Sequence, residues 1–187
     1  AKSERGHDVL IYGATGSIGS AAVQIAKNLG MNVTAVCGTE HVELVRGLGA
    51  DSVIDYQTED FTKDNQKYDL VFDAVGKSSF RRCRRLLKPN GIYSSSDVGL
   101  MWHGPILALI TPLFRGRKQL FTIPKADPEG MKYLKRFIES GEYKPLLDRT
   151  YPLDQIVEAY RRAESGQKVG NIVLTMGSHA GLPSTGG

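Results

Sequence analysis

Val9-Leu10-Ile11-Tyr12-Gly13-Ala14-Thr15-Gly16-Ser17-Ile18-Gly19 decides the fold. Its first four residues are continuously apolar, the pattern of a strand buried on both faces. The helical pattern Ser20–Leu29 follows, with Ala22, Ile25, Ala26 and Leu29 on one stripe and Gly30 at its end. Between them the glycines are spaced G-x-x-G-x-x-G, a variant of the dinucleotide fingerprint G-x-G-x-x-G. Gly13 would permit a sharp exit from the strand. Gly16 would let backbone N–H groups reach a pyrophosphate. Gly19 would let the helix lie close to the sheet. The helix start would then meet the phosphates with unpaired donors and the positive end of its dipole.

The same alternation continues outward. Strands are expected at Asn32–Val36, Asp51–Ile54, Asp69–Asp73, Gly91–Ser95, Leu120–Ile123 and Asn171–Thr175. Helices are expected at Glu40–Leu48, Ser78–Leu87, Pro128–Ser140 and Pro152–Ser165, with a turn of helix around Phe61. In the last two helices Met131, Leu134, Phe137 and Ile138, then Leu153, Ile156, Val157 and Tyr160, form the inward stripes. This order predicts an α/β fold, a doubly wound parallel six-stranded sheet (Rossmann fold) with a short C-terminal helix-strand extension. The expected division is a dinucleotide-binding domain over 1–144, a C-terminal segment over 145–176 and a disordered tail over 177–187.

Glycine accounts for 21 of 187 residues, above the ordinary ~7%, and the phosphate turn explains part of the excess. With 41% hydrophobic and 24% charged residues the chain can bury a core. Two cysteines exclude a disulfide framework and a four-thiolate zinc site and fit a reducing, cytoplasmic setting. Four scattered histidines (His7, His41, His103, His179) propose no metal site. A net charge of +4 gives weak attraction to polyanions. The basic run Arg81–Lys88 reads as a solvated helix face, and no zinc-finger, RNA-binding or helix-turn-helix pattern supports a nucleic-acid partner. The apolar stretch Gly104–Phe114 holds Pro105 and Pro112 and is too short to span a membrane. Trp102–Phe114 is a candidate substrate wall, homodimer contact or core segment.

At the end of the second strand an acid would bond an adenosine ribose 2′-hydroxyl and reject a 2′-phosphate. Val36-Cys37-Gly38-Thr39 has none before Glu40, which tilts the cofactor towards NADP(H) over NAD(H). No Arg or Lys directly follows, and His41 or Arg46 could contribute positive charge.

Together Gly13–Gly19, Val45–Asp51 running into Val53-Ile54-Asp55-Tyr56, Phe72–Gly76, Leu87–Gly91, Tyr143-Lys144-Pro145, Tyr151-Pro152-Leu153 and Gly166–Leu174 resemble the medium-chain dehydrogenase/reductase superfamily. They are most similar to its zinc-free quinone oxidoreductase-like branch. The resemblance implies that Thr15, Gly16, Ser17 and Ile18 hold the pyrophosphate. It puts Cys37, Gly38 and Thr39 at the adenosine ribose, Tyr56 near the adenosine end, and Val75 and Gly76 at the nicotinamide ribose. Lys168 lies in the family's C-terminal glycine motif, and Asn171 departs from it. The family also carries a GroES-like catalytic domain ahead of the first strand, so the chain is expected to be the cofactor part of a longer enzyme. That enzyme would reduce a quinone, enone or related small carbonyl substrate, with no catalytic residue or metal assigned to this chain. A zinc-dependent alcohol dehydrogenase cofactor domain and a non-catalytic dinucleotide sensor are the alternatives. An extended short-chain dehydrogenase would need a Tyr-x-x-x-Lys pair, and no tyrosine here has a lysine four residues on.

Overall fold

The computed structural model describes residues 5–96, 118–120 and 127–176. The expectations for Trp102–Phe114, for Phe121–Ile123, for His103 and His179, and for the tail 177–187 lie outside the described residues. Two compact units divide the chain, Ala1–Pro145 and Leu146–Gly187.

The first unit holds six strands: β1 (Asp8–Tyr12), β2 (Asn32–Cys37), β3 (Ser52–Asp55), β4 (Tyr68–Asp73), β5 (Leu87–Ser95) and β6 (Lys118–Leu120). Its helices are α1 (Ser17–Asn28), α2 (Val42–Gly47), α3 (Phe80–Cys83) and α4 (Pro128–Glu139). Sheet order is β3-β2-β1-β4-β5-β6, with every pair parallel. The order reverses between β1 and β4, the switch point at which a crevice opens beyond the strands' carboxyl ends. Alternate residues of β1 face opposite sides. Val9 and Ile11 join Val23 and Ala26 of α1 and Val45 of α2 in one core. Leu10 joins Phe61, Val71, Phe80, Leu86, Leu87 and Tyr93 in the other. Apolar residues on both faces of one strand make the sheet doubly wound.

One ammonium ties three strands at the sheet's amino edge. Lys88 Nζ on β5 lies 2.7 Å from Asp8 Oδ2 on β1 and 2.7 Å from Asp69 Oδ2 on β4. Asp69 Oδ2 also accepts the Asp8 backbone N–H at 2.8 Å. Lys88 accounts for a correction. The basic run does not form a helix over Ser78–Leu87: α3 ends at Cys83, a 3-10 turn covers Arg84–Leu86, and β5 begins at Leu87. Pro89-Asn90-Gly91 is therefore a deformation inside a strand, with Asn90 at φ 67° and a register shift between Tyr68 and Leu70. Burial of Leu86 and Leu87 and the two distant carboxylates outweigh the local helical pattern.

The second unit contains β7 (Leu147–Pro152), α5 (Ile156–Glu164) and β8 (Asn171–Thr175), with β7 and β8 parallel. Strand β7 is absent from the sequence-based expectation because Asp148, Arg149 and Thr150 break its apolar pattern. Asp148 binds the Arg162 guanidinium at 2.8 and 2.9 Å, which fixes α5 on β7. The inward stripe expected for this helix is corrected: Leu153, Ile156, Val157 and Tyr160 are exposed, and Ala159 is the residue buried. Likewise in α4 Phe137 is buried, while Met131 and Ile138 are exposed.

The hydrogen bond from Lys88 holds the Asp8 carboxyl below its ordinary value. A depressed carboxyl pKa stabilises the fold at neutral pH, and that stability is lost as pH falls below about 4. Lys88→Met should therefore destabilise the chain at pH 7 and much less at pH 3. Urea titrations across that range check this, and an equal deficit at both pH values would refute it.

Candidate functional site

The carboxyl ends of β3, β2, β1 and β4 lie side by side, and the turns beyond them carry the residues singled out in the sequence. The turn after β1 hangs from β2: the backbone N–H groups of Gly13 and Ala14 both donate to the Val36 carbonyl at 3.1 Å. Its three glycines meet different demands. Gly13 has φ 83°, and a Cβ there would come within 2.0 Å of Val75 Cγ2. A Cβ on Gly19 would sit 2.0 Å from the Gly13 carbonyl oxygen and 2.8 Å from its carbon. Both glycines are needed by the chain itself. Gly16 is not: its backbone is extended (φ −73°, ψ 170°), and among the described residues a Cβ there would meet only the Gly13 oxygen, at 3.5 Å. Its missing side chain leaves open space directly before α1.

That helix start suits an anion. Gly16 stands at the N-cap, no side chain caps the helix, and its first turn holds no acidic residue. The backbone N–H groups of the first turn precede any i−4 carbonyl of the helix and lie at its positive end. Thr15, Ser17 and the half-exposed Ile18 flank this space in sequence, and Gly16 N–H itself donates to the Gly13 carbonyl at 3.1 Å.

On the β2 side, Cys37, Gly38, Thr39 and Tyr56 converge. Tyr56 N–H donates to the Cys37 carbonyl at 3.0 Å, and a Cβ on Gly38 would lie 3.4 Å from the Tyr56 hydroxyl. Cys37 is buried, and that burial, with the Asp55 carboxylate beside it, pushes its thiol up to about 11, so it is no nucleophile at neutral pH. Sequence reasoning missed one member. The carboxylate absent from the end of β2 arrives from β3: the Thr39 hydroxyl donates to Asp55 Oδ2 at 2.5 Å. The Gln57 N–H donates to Asp55 Oδ1 at 2.9 Å, and Gln57 Oε1 accepts the Thr39 N–H at 3.3 Å. The available signal was the acid ending the neighbouring strand. The two basic residues considered for this corner both face acids, His41 Nε2 lying 3.2 Å from Glu40 and Arg46 pairing with Glu43 at 2.6 Å.

On the β4 side, Val75 is 38% exposed and its side chain lies against Gly13, while Gly76 takes φ 73°. Ile18, Tyr56 and Val75 are thus three exposed apolar side chains spread along one edge of the sheet. Lys168 and Asn171 lie in the second unit, where Lys168 Nζ donates to the Gly170 carbonyl at 2.7 Å and the Asn171 amide to the Leu146 carbonyl at 3.0 Å. Among the described residues no three His, Cys, Asp or Glu side chains group to hold a metal ion. Among them, too, no helix is long and apolar enough to cross a membrane.

A family model described as zinc-binding dehydrogenase matches residues 48–174. A chloroplast envelope quinone oxidoreductase homolog of Arabidopsis thaliana is 30% identical over 176 residues, covering 89% of this chain and 52% of that protein. An NADPH-dependent alkenal/one oxidoreductase, chloroplastic, also of Arabidopsis thaliana, is 31% identical over 173 residues, covering 90% of this chain and 40% of that protein. The chain thus spans about half or less of the length of these relatives. Among solved structures, the quinone oxidoreductase from Coxiella burnetii superposes with a TM-score of 0.79 at 25% identity, covering 94% of this chain and 55% of that one.

The contrast between the glycines sets a test of stability. Gly19→Ala should lower the thermal midpoint by several degrees, as an overpacked contact of about 1–3 kcal/mol requires. Gly16→Ala should leave it within about one degree. Scanning calorimetry of the two variants decides, and equal losses would show that Gly16 also serves the fold.

Proposed function

The chain belongs to the zinc-binding dehydrogenase family, and on that premise we propose that it is the NAD(P)H-binding part of an oxidoreductase that reduces a quinone, enone or related carbonyl compound. The observation that carries the reading is the open space at Gly16, ahead of an uncapped and acid-free helix start at the sheet's switch point. Among the described residues no contact explains that glycine, whereas a bound pyrophosphate would. Thr15, Gly16, Ser17 and Ile18 would hold the pyrophosphate, with Gly13 and Gly19 shaping the turn. Cys37, Gly38, Thr39 and Tyr56 would hold the adenosine side, and Val75 and Gly76 the nicotinamide ribose. When bound, the nicotinamide supplies the hydride. The residues named here bind and orient it, and none is assigned as a proton donor.

Substrate class follows the relatives, one a quinone oxidoreductase homolog and one an alkenal/one oxidoreductase by name. The exposed Leu153, Ile156, Val157 and Tyr160 support a further reading, that the second unit packs in the parent enzyme against a substrate-binding domain. The chain alone would then bind cofactor without turnover. A cytoplasmic setting is part of the proposal and is supported by the two free, buried thiols, Cys37 and Cys83.

NADP(H) is the favoured cofactor. The Asp55 carboxylate is engaged on both oxygens, by the Thr39 hydroxyl and the Gln57 N–H, and no acid stands at the end of β2 itself. The Asp55 charge nevertheless opposes a 2′-phosphate.

Parallel titrations with NADPH and NADH test the assignment. NADPH should bind more tightly, and Gly16→Val should abolish binding of both, because a side chain would take the pyrophosphate's place. Undiminished affinity in that variant would sink the site. Asp55→Asn should raise NADPH affinity by about three- to tenfold, with NADH changed by less than about twofold. A parallel rise for both cofactors would place Asp55 away from the 2′-phosphate.

A further inference from the structure

We propose that Asp73, a carboxylate with no surface of its own, is the positioning residue for the nicotinamide end of the site; the inference rests on the dinucleotide reading above. Asp73 ends β4 and is fully buried. A buried carboxylate is costly unless its oxygens are filled with donors, and here the donors come chiefly from one loop. Oδ1 accepts the backbone N–H of Val75 at 3.0 Å and of Gly76 at 2.8 Å. Oδ2 accepts the backbone N–H of Ser78 at 2.8 Å and the Tyr93 hydroxyl at 3.1 Å. One side chain therefore winds residues 74–78 around itself and anchors them to β5 through Tyr93.

The anchor is itself held in register. Ala74 N–H donates to the Tyr12 carbonyl at 3.0 Å, and Ser96 N–H to the Asp73 carbonyl at 2.9 Å. The loop it folds presents Val75 to Gly13 of the phosphate turn, at the close contact that forbids a side chain there. Asp73 thereby fixes the distance between the turn assigned to the pyrophosphate and the loop assigned to the nicotinamide ribose. Three of these four donors are backbone groups of the site's own loop.

The test separates the two ends of the ligand. The 187-residue chain and Asp73→Asn are titrated with NADPH, read by nicotinamide fluorescence, and with 2′,5′-ADP, which carries only the adenosine end. In Asp73→Asn an amide N–H₂ replaces one acceptor oxygen, so two donors lose their acceptor, either the Val75 and Gly76 N–H groups or the Ser78 N–H and the Tyr93 hydroxyl. The expected result is 2′,5′-ADP affinity within about twofold of the parent chain and NADPH affinity lower by about tenfold or more. The change in nicotinamide emission on binding should also be lost. Should Asp73→Asn fail to fold, Gly76→Ala perturbs the same loop through its left-handed backbone and should give the same split. Parallel losses for the two ligands, or unchanged NADPH binding and emission, would overturn the proposal. Absence of binding by the parent chain to either ligand would overturn the dinucleotide reading itself, and this inference with it.

Discussion

The carboxyl edge of this protein depends on one close approach, the α-carbon of Gly19 resting on the carbonyl of Gly13. A Cβ at Gly19 would fall 2.0 Å from that oxygen, so α1 can start where it does only because residue 19 has no side chain. The start of α1 fixes where its first-turn N–H groups point. The same turn is pinned from below by the Val36 carbonyl and from the β4 side by Val75. Strands β2, β1 and β4 therefore meet at one glycine pair. Gly16 lies within this crowded turn and yet faces open space, which makes its vacancy informative.

Legibility in the sequence followed the range of the forces. The first strand, the glycine turn and α1 are set by local pattern and by contacts a few residues apart, and the sequence predicts all three. The basic run fails for the opposite reason. Lys88 is positioned by Asp69 and by Asp8, 19 and 80 residues away, and no local pattern encodes either. Strand β7 fails because its Asp148 serves Arg162 on the neighbouring helix, so a polar residue stands where periodicity expects an apolar one. At the site, the glycines and Thr39 are visible in the sequence as residue types. The carboxylate that meets Thr39, Asp55, is not, because it belongs to the next strand and arrives only through the parallel register of Cys37 with Asp55.

The helical stripes of α4 and α5 mark a different limit. Their periodicity predicts burial, and of the expected stripes Phe137 is buried, whereas on α5 the buried residue is Ala159, which lies outside the expected stripe. Met131, Ile138, Val157 and Tyr160 follow the same period and are exposed. Amphipathic pattern reports that a face is meant to leave water, and it does not say what covers it. Among the described residues these side chains stay exposed, and the packing proposed above for the second unit would cover those of α5.

Four aspartates at strand ends show how far environment, and not residue type, sets a carboxylate's role. Asp8 and Asp69 at the amino edge share a cation, Lys88, and their task is to align strands. Asp55 at the carboxyl edge is met by a hydroxyl and a backbone N–H. Asp73 is buried and answered by N–H and O–H donors alone. A carboxylate compensated by a lysine can exchange that lysine for water when a strand end frays. One compensated by three backbone groups of a single loop cannot release them without unfolding the loop, since a buried unpaired charge is the costlier state. The geometry at Asp73 is therefore the more rigid of the two devices.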